Sequence, residues 1–217
     1  MDPIVVALPK GRNLKPSVAL FKEVGLDFSE ALEDNRKLVF EAPGDVFAKA
    51  LVIRDTDIPT YVENGAADMG VSGADVLAEQ GKDLYEPVDL KFGYCRMVVA
   101  EPANLSSSDN PDDWTHIRIG TKFPNIAEAY FAGKGVQIEI IKLYGSIELA
   151  PMVGLSERVV DLVSTGETLR QNGLVEVDTI MEITAHLVIN RASLKTKHER
   201  LSGLINNLSS AVTTLGF

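Results

Sequence analysis

Val159-Val160-Asp161-Leu162-Val163-Ser164-Thr165-Gly166-Glu167-Thr168-Leu169 reads as a strand, a tight turn and the start of a helix. The apolar β-branched run predicts a buried strand. Gly166 lets the backbone come close to a bound group. Several N–H groups then converge where a helix begins, and the dipole there favours an anion. The candidate cradle is Ser164, Thr165, Gly166, Glu167 and Thr168, with three hydroxyl donors among them. Asp161, just upstream, is placed to accept hydrogen bonds from sugar hydroxyls. No Gly-Lys-Ser/Thr follows, so this is not a Walker loop. An ordinary strand-to-helix turn capped by Thr165 or Thr168 fits the local pattern equally well.

Outward from that segment the rhythm repeats. Ile4–Leu8, Leu38–Phe40, Leu51–Ile53, Met69–Val71, Val88–Leu90 and Arg96–Ala100 read as strands. Leu14–Val24, a stretch opening at Asp57-Ile58-Pro59, and Ala74–Gln80 read as helices. Asp57 is an expected N-cap and Pro59 an expected first-turn residue. A polar stretch over 102–114, rich in Ser, Asn and Asp, reads as a surface loop, with a second lobe expected to begin close by. Strands at 117–120, 138–143 and 159–163 follow, alternating with helices. One or two strands are expected over 176–190, then an amphipathic helix over 195–215. Alternating strands and helices predict an α/β fold with mostly parallel sheets.

The chain has 217 residues and a formal net charge of −10. That charge argues against general nucleic-acid binding, which uses a basic face. It also makes local basic clusters informative, because an acidic protein must concentrate its positive charge to hold an anionic substrate. No apolar run approaches a membrane span, and the N-terminus lacks the pattern of a signal peptide. The single cysteine, Cys95, excludes an internal disulfide and fits a reducing cytoplasm. His116, His186 and His198 are too scattered for metal ligation, and Cys95 reads as a small core residue.

The cations cluster early. Lys10, Gly11 and Arg12 follow the first strand, and open α/β sheets bind ligands at the carboxyl ends of their strands. Two cations there suit a polyphosphate, although solvated loop charges explain them as well. Arg54 ends another strand, where Asp55 or Asp57 offers it a surface ion pair. Arg36 precedes its strand, so the same rule does not bring it to that mouth, and a loop is the route left by which it could reach the site. Asp68-Met69-Gly70-Val71-Ser72-Gly73 is a short strand flanked by glycines, suited to an anion or a base edge, or simply to turns. Glu148 reads either as an active-site carboxylate or as a helix-surface charge.

Taken in register, these segments resemble the short-form ATP phosphoribosyltransferases. The landmarks are Leu8-Pro9-Lys10-Gly11-Arg12, Arg36-Lys37-Leu38, Arg54 through Val62, and Gly65-Ala66-Ala67-Asp68-Met69-Gly70-Val71. They continue with Lys142 through Pro151, Asp161 through Leu169, Gly173-Leu174 and Leu187-Val188-Ile189-Asn190. The resemblance implies a two-lobed fold like that of periplasmic binding proteins, with the active site in the interlobe cleft. It implies residues 1–94 as the first part of lobe I, 95–183 as lobe II and 184–217 as a segment returning to lobe I. The implied reaction joins ATP to phosphoribosyl pyrophosphate (PRPP), with Mg²⁺ held mainly by substrate rather than by protein side chains.

By the same resemblance, Arg12 and Arg36, assisted by Lys10, stabilise the leaving pyrophosphate. Ser164 to Thr168 hold the 5′-phosphate of PRPP, and Glu148 and Asp161 its ribose hydroxyls. Gly11, Arg54, Asp68 and Gly73 serve ATP. Long-form members carry a further histidine-binding domain that this chain is too short to include. Short-form members assemble with a regulatory subunit resembling a histidyl-tRNA synthetase, which implies such a partner here in a hetero-octamer, and a homodimer of this chain. No nucleic-acid or membrane partner is implied. The competing reading is a solute-binding domain of the same bilobal fold. A base-salvage transferase is less well matched, because Asp161 stands alone where those enzymes carry two adjacent acids.

Overall fold

The computed structural model describes residues 2–34, 36–42, 47–106 and 116–217. The chain opens with β1 (Ile4–Pro9), α1 (Leu14–Glu23), β2 (Val39–Ala42), β3 (Ala48–Ile53), α2 (Ile58–Glu63), β4 (Met69–Gly73), α3 (Ala74–Gln80) and β5 (Tyr85–Asp89). It continues through β6 (Cys95–Pro102), α4 (Ala103–Ser106), β7 (His116–Thr121), α5 (Pro124–Gly133), β8 (Gln137–Lys142), α6 (Leu149–Met152), β9 (Arg158–Val163), α7 (Glu167–Gln171) and β10 (Leu174–Ile183). It closes with β11 (Ala185–Ile189), α8 (Arg191–Thr196) and α9 (His198–Leu215). Two compact units result: Met1–Gly93 with Thr184–Phe217, and Tyr94–Ile183. Most of the polar stretch expected over 102–114 lies outside the described residues.

In the first unit the sheet order is β2-β3-β1-β4-β11-β5. Strands β3, β1 and β4 are parallel, while β2, β11 and β5 run antiparallel to their neighbours. In the second unit the order is β10-β6-β9-β7-β8, with β9, β7 and β8 parallel and β6 and β10 antiparallel. Both sheets are therefore mixed, which corrects the expectation of mostly parallel ones. A parallel pairing needs a crossover of a dozen or more residues. Only residues 43–47 separate β2 from β3, so that pair turns back on itself.

Strand β1 is buried on both faces, as a central parallel strand must be. Ile4, Val6 and Leu8 join Phe21 of α1 and Leu201, Leu204, Leu208 and Val212 of α9 in one cluster. Ala7 on the opposite face packs with Ile58 and Val62 of α2 and Leu77 of α3. The apolar spacing read in the last helix is thus the face it buries in the first unit. Asp57 holds the N-cap position of α2 but makes no side-chain capping bond, while Pro59 does fall in the first turn.

Gly70 stands where α2 crosses the sheet. A Cβ there would lie 2.7 Å from Ile58 Cγ2 and 3.1 Å from both Ala7 O and Val62 Cγ2. The missing side chain lets helix and sheet approach. Gly70→Ala should therefore cost about 1–3 kcal/mol by overpacking, read as a lower midpoint in urea unfolding. A midpoint equal to wild type would show that α2 yields without cost.

Candidate active site

At the carboxyl end of β1 the chain turns through Lys10, Gly11 and Arg12. The Lys10 N–H donates to Ile53 O at 2.7 Å, which ties the turn to the end of β3, where Arg54 follows. Gly11 has φ +92°, a backbone conformation that favours glycine. Lys10, Arg12 and Arg54 are all exposed. Strand β2 runs antiparallel to β3, with Val39 opposite Leu51, so the segment entering β2 arrives at this same edge. Asp34 Oδ1 accepts from the Arg36 and Lys37 N–H groups at 2.8 and 3.1 Å and shapes that turn. Lys10, Gly11, Asp34, Lys37 and Val52 help line one pocket of about 180 Å³. The strand-end rule left Arg36 away from this mouth, and the antiparallel strand is what brings its turn there.

Gly73 ends β4 and opens α3. A Cβ on it would lie 2.2 Å from Asp75 Oδ1, so glycine lets that carboxylate fold back over the strand end. Asp75 is only 8% exposed. Burial pushes its carboxyl above the ordinary range, the amides of Asp75 and Val76 pull it down, and Asp55 and Arg12 act in opposite directions. The sequence reading gave Asp75 no role, because its burial is not visible in a Gly-Ala-Asp stretch.

Asp68 lies apart from the other residues expected to serve ATP. It precedes β4, at the amino end of the parallel strands and away from Lys10 and Gly73. Its Oδ2 accepts from the Val5 N–H at 2.9 Å, and Lys197 Nζ lies 2.9 and 2.7 Å from its two carboxylate oxygens. Its carbonyl accepts from the Asn190 N–H, and the Asn190 amide donates to Val62 O and Glu63 O. This buried acid fastens the returning segment to the sheet.

In the second unit, Glu148, Asp161, Ser164, Thr165, Gly166, Glu167 and Thr168 all line one pocket of about 190 Å³. Three elements build it. Strand β9 ends at buried Val163, and Gly166, at φ +78°, turns the chain into α7. Buried Leu169 anchors that helix in the unit's core. Ile147 and Ala150 are sunk in the same core, which leaves Glu148 between them half-buried at the pocket.

Burial pushes the Asp161 carboxyl up. The Leu162 N–H, at 2.8 Å, and the charge of Lys122 pull it down, and Glu148 pushes it up. Lys122 went unnoticed in the sequence. Its place is set by Thr121, whose hydroxyl donates to Val160 O at 2.8 Å and accepts from the Phe123 N–H at 2.9 Å. Glu167 turns its carboxylate onto Arg170 and Gln171 at 2.7–2.8 Å, and its N–H donates to Thr165 Oγ1 at 3.4 Å. Cys95 is buried in β6, as a core residue. Among the described residues no group of three or more His, Cys, Asp and Glu could hold a metal ion, and no helix is long and apolar enough to cross a membrane.

The fold is the two-lobed α/β type of periplasmic binding proteins, carrying a strand–loop–helix turn beside the carboxylates of Glu148 and Asp161. A solved arginine-bound protein, Tv2483, matches over 99% of this chain and 85% of its own with a TM-score of 0.61, at 13% identity, a likeness of fold alone. The family model described as HisG, ATP phosphoribosyltransferase, matches residues 54–210. The ATP phosphoribosyltransferase of Citrifermentans bemidjiense is 62% identical over 97% of this chain and 99% of its own length. ATP phosphoribosyltransferase 2 of Geobacter sulfurreducens is 63% identical over the same shares. The HisG:HisZ ATP phosphoribosyl transferase complex from Thermotoga maritima contains a chain that superposes with a TM-score of 0.81, at 34% identity, covering 97% of this chain and 99% of that one. The chain belongs to the ATP phosphoribosyltransferase family. It transfers the phosphoribosyl group of PRPP to N1 of ATP, releasing pyrophosphate, in the first step of histidine biosynthesis.

Proposed function

We propose that the second unit holds the phosphoribosyl group and the carboxyl edge of the first unit's parallel strands holds the polyphosphate and ATP. The observation that carries this reading is the single pocket shared by Glu148, Asp161 and the 164–168 turn. Backbone N–H groups and hydroxyls of that turn suit a terminal phosphate. The two carboxylates suit the ribose hydroxyls and favour positive charge on an oxocarbenium-like sugar. Adenine N1 already carries a free lone pair, so a strong general base is not required at the start. The harder part is the charge on the departing pyrophosphate, which falls to Lys10, Arg12 and Arg36. Arg54, Gly11 and Gly73 serve ATP.

Mg²⁺ fits this division. The ion is held mainly by substrate phosphates and water, and when bound it neutralises pyrophosphate charge as a Lewis acid. A HisZ-type subunit resembling a histidyl-tRNA synthetase completes a hetero-octamer around dimers of this chain. A cytoplasmic setting suits the soluble substrates.

The test is product formation from ATP, PRPP and Mg²⁺, followed by ultraviolet absorbance and pyrophosphate release, with and without that subunit. Thr165→Val should raise the KM for PRPP and leave the KM for ATP unchanged. Equal effects on both substrates would count against the assignment of the turn. Asp161 adds a pH signature. Its carboxyl titrates above the ordinary range, and the ionised form is the one that accepts from hydroxyls and stabilises a cation. kcat/KM for PRPP should therefore fall as pH drops through that raised value, while Asp161→Asn loses that acid limb along with most activity. An unchanged limb in the variant would assign the titration to another group.

A further inference from the structure

The turn that must accept a phosphate is ringed by acids. Glu148, Asp161 and Glu167 line its pocket, and Glu176 of β10 stands behind it. A Cβ on Gly166 would lie 3.1 Å from Glu176 Oε1. Glu176 also lines a second hollow of about 340 Å³ with Thr165, Gly166 and Arg170. Three of these acids are matched by cations: Asp161 feels Lys122, Glu167 pairs with Arg170, and Glu176 pairs with Arg96. The Arg96 contact is bidentate, with Nη1 2.7 Å from Oε2 and Nη2 3.2 Å from Oε1. Arg96 reaches it from β6, where it stands opposite Val163, the last residue before the turn.

We propose that Arg96 is a positioning residue for the phosphoribosyl site, cancelling the Glu176 charge so that the 164–166 turn can accept a phosphate dianion. The proposal rests on the reading of that turn as the 5′-phosphate cradle. A carboxylate a few ångströms behind an anion site opposes binding unless it is neutralised. The fork geometry of a guanidinium neutralises it while holding it still. The pair is about 30% exposed on each side, so its loss should not unfold the chain.

Two substitutions then move affinity in opposite directions, which a purely mechanical latch would not do. Ribose 5-phosphate binding to the full chain is measured by titration calorimetry. Arg96→Gln leaves Glu176 uncompensated and should weaken binding about tenfold, the size of one unit charge at this range after solvent screening. Glu176→Gln should leave binding equal or tighter, the double variant should return near wild type, and Arg96→Lys should retain most of the affinity. The weakening in Arg96→Gln should deepen as salt is lowered. The proposal is overturned if Glu176→Gln weakens binding as much as Arg96→Gln, or if Arg96→Gln binds within about twofold of wild type. Gly166→Val serves as the control for the underlying reading. If it abolishes binding while Arg96→Gln is silent, the cradle stands and the role of Arg96 falls. If Gly166→Val is silent as well, the cradle reading itself fails.

Discussion

Arg36→Ala should lower kcat by about 10²–10³-fold, the usual loss on removing one preorganised donor from a developing charge, while the KM for PRPP changes little. Pyrophosphate departure concentrates negative charge on the leaving oxygens, and an interaction stronger there than in the bound substrate acts on kcat. Arg36 is suited to that task because its turn is fixed through the backbone, by the 2.8 Å bond from its N–H to Asp34, while its side chain remains exposed. Lys37 next to it is differently placed. Its ammonium lies 2.6 Å from Glu30 and 5.0 Å from the centre of the Phe40 ring. Lys37→Ala should accordingly change kcat by less than about tenfold, the loss expected of a charge held by a surface pair. Steady-state kinetics with both substrates varied separates the cases. A raised KM with unchanged kcat in Arg36→Ala would move Arg36 from leaving-group stabilisation to simple binding.

The largest effect on stability is expected from Glu101→Ala, at about 3–5 kcal/mol. Arg158 Nε lies 2.8 Å from Glu101 Oε2, and their side chains are only 5% and 2% exposed. Burial pulls the Arg158 pKa down from its usual value, and Glu101 pulls it back up. Without Glu101 the guanidinium is left in the interior of the second unit with its main countercharge gone. Arg158 opens β9, the strand that leads into the 164–168 turn, so the damage would reach the proposed site through the strand. Replacing both members with apolar residues, Glu101→Leu with Arg158→Met, should recover most of the loss, because a buried ion pair is often no more stable than a well-packed apolar one. Urea unfolding of the single and double variants measures this. A double variant as unstable as the single one would mean that the pair's hydrogen bonding, rather than uncompensated charge, governs the strand.

Strands, helices and the turn at 164–168 were legible because they are local. Ile4–Leu8 and Val159–Val163 announce strands through β-branched runs, and Leu201, Leu204, Leu208 and Val212 announce a helix face by their spacing. Gly166 marks a positive φ that other residues adopt at a cost. Strand direction was not legible. Nothing in Val39–Ala42 states that it runs against β3, and that direction is what delivers Arg36 to the Lys10 mouth. The partner of Asp68 was hidden for a similar reason. Its Asp-Met-Gly setting looks like a ligand turn, but Lys197, a residue far along the chain, claims its carboxylate.

By itself, then, the sequence determined where the elements lie, the strand–turn–helix form of 159–169, and, through landmarks held in register, the family. Those properties depend on neighbours within a few residues, or on the order of segments. Only the tertiary structure decided which edge each cation occupies, that Asp68 meets Lys197 and Gly70 lets α2 approach the sheet, that Asp75 and the Arg158–Glu101 pair are withdrawn from water while Asp161 is half-buried, and that Arg96 faces Glu176 behind Gly166. Burial and strand direction are set by contacts between distant parts of the chain, and those contacts fix the electrostatics of the site.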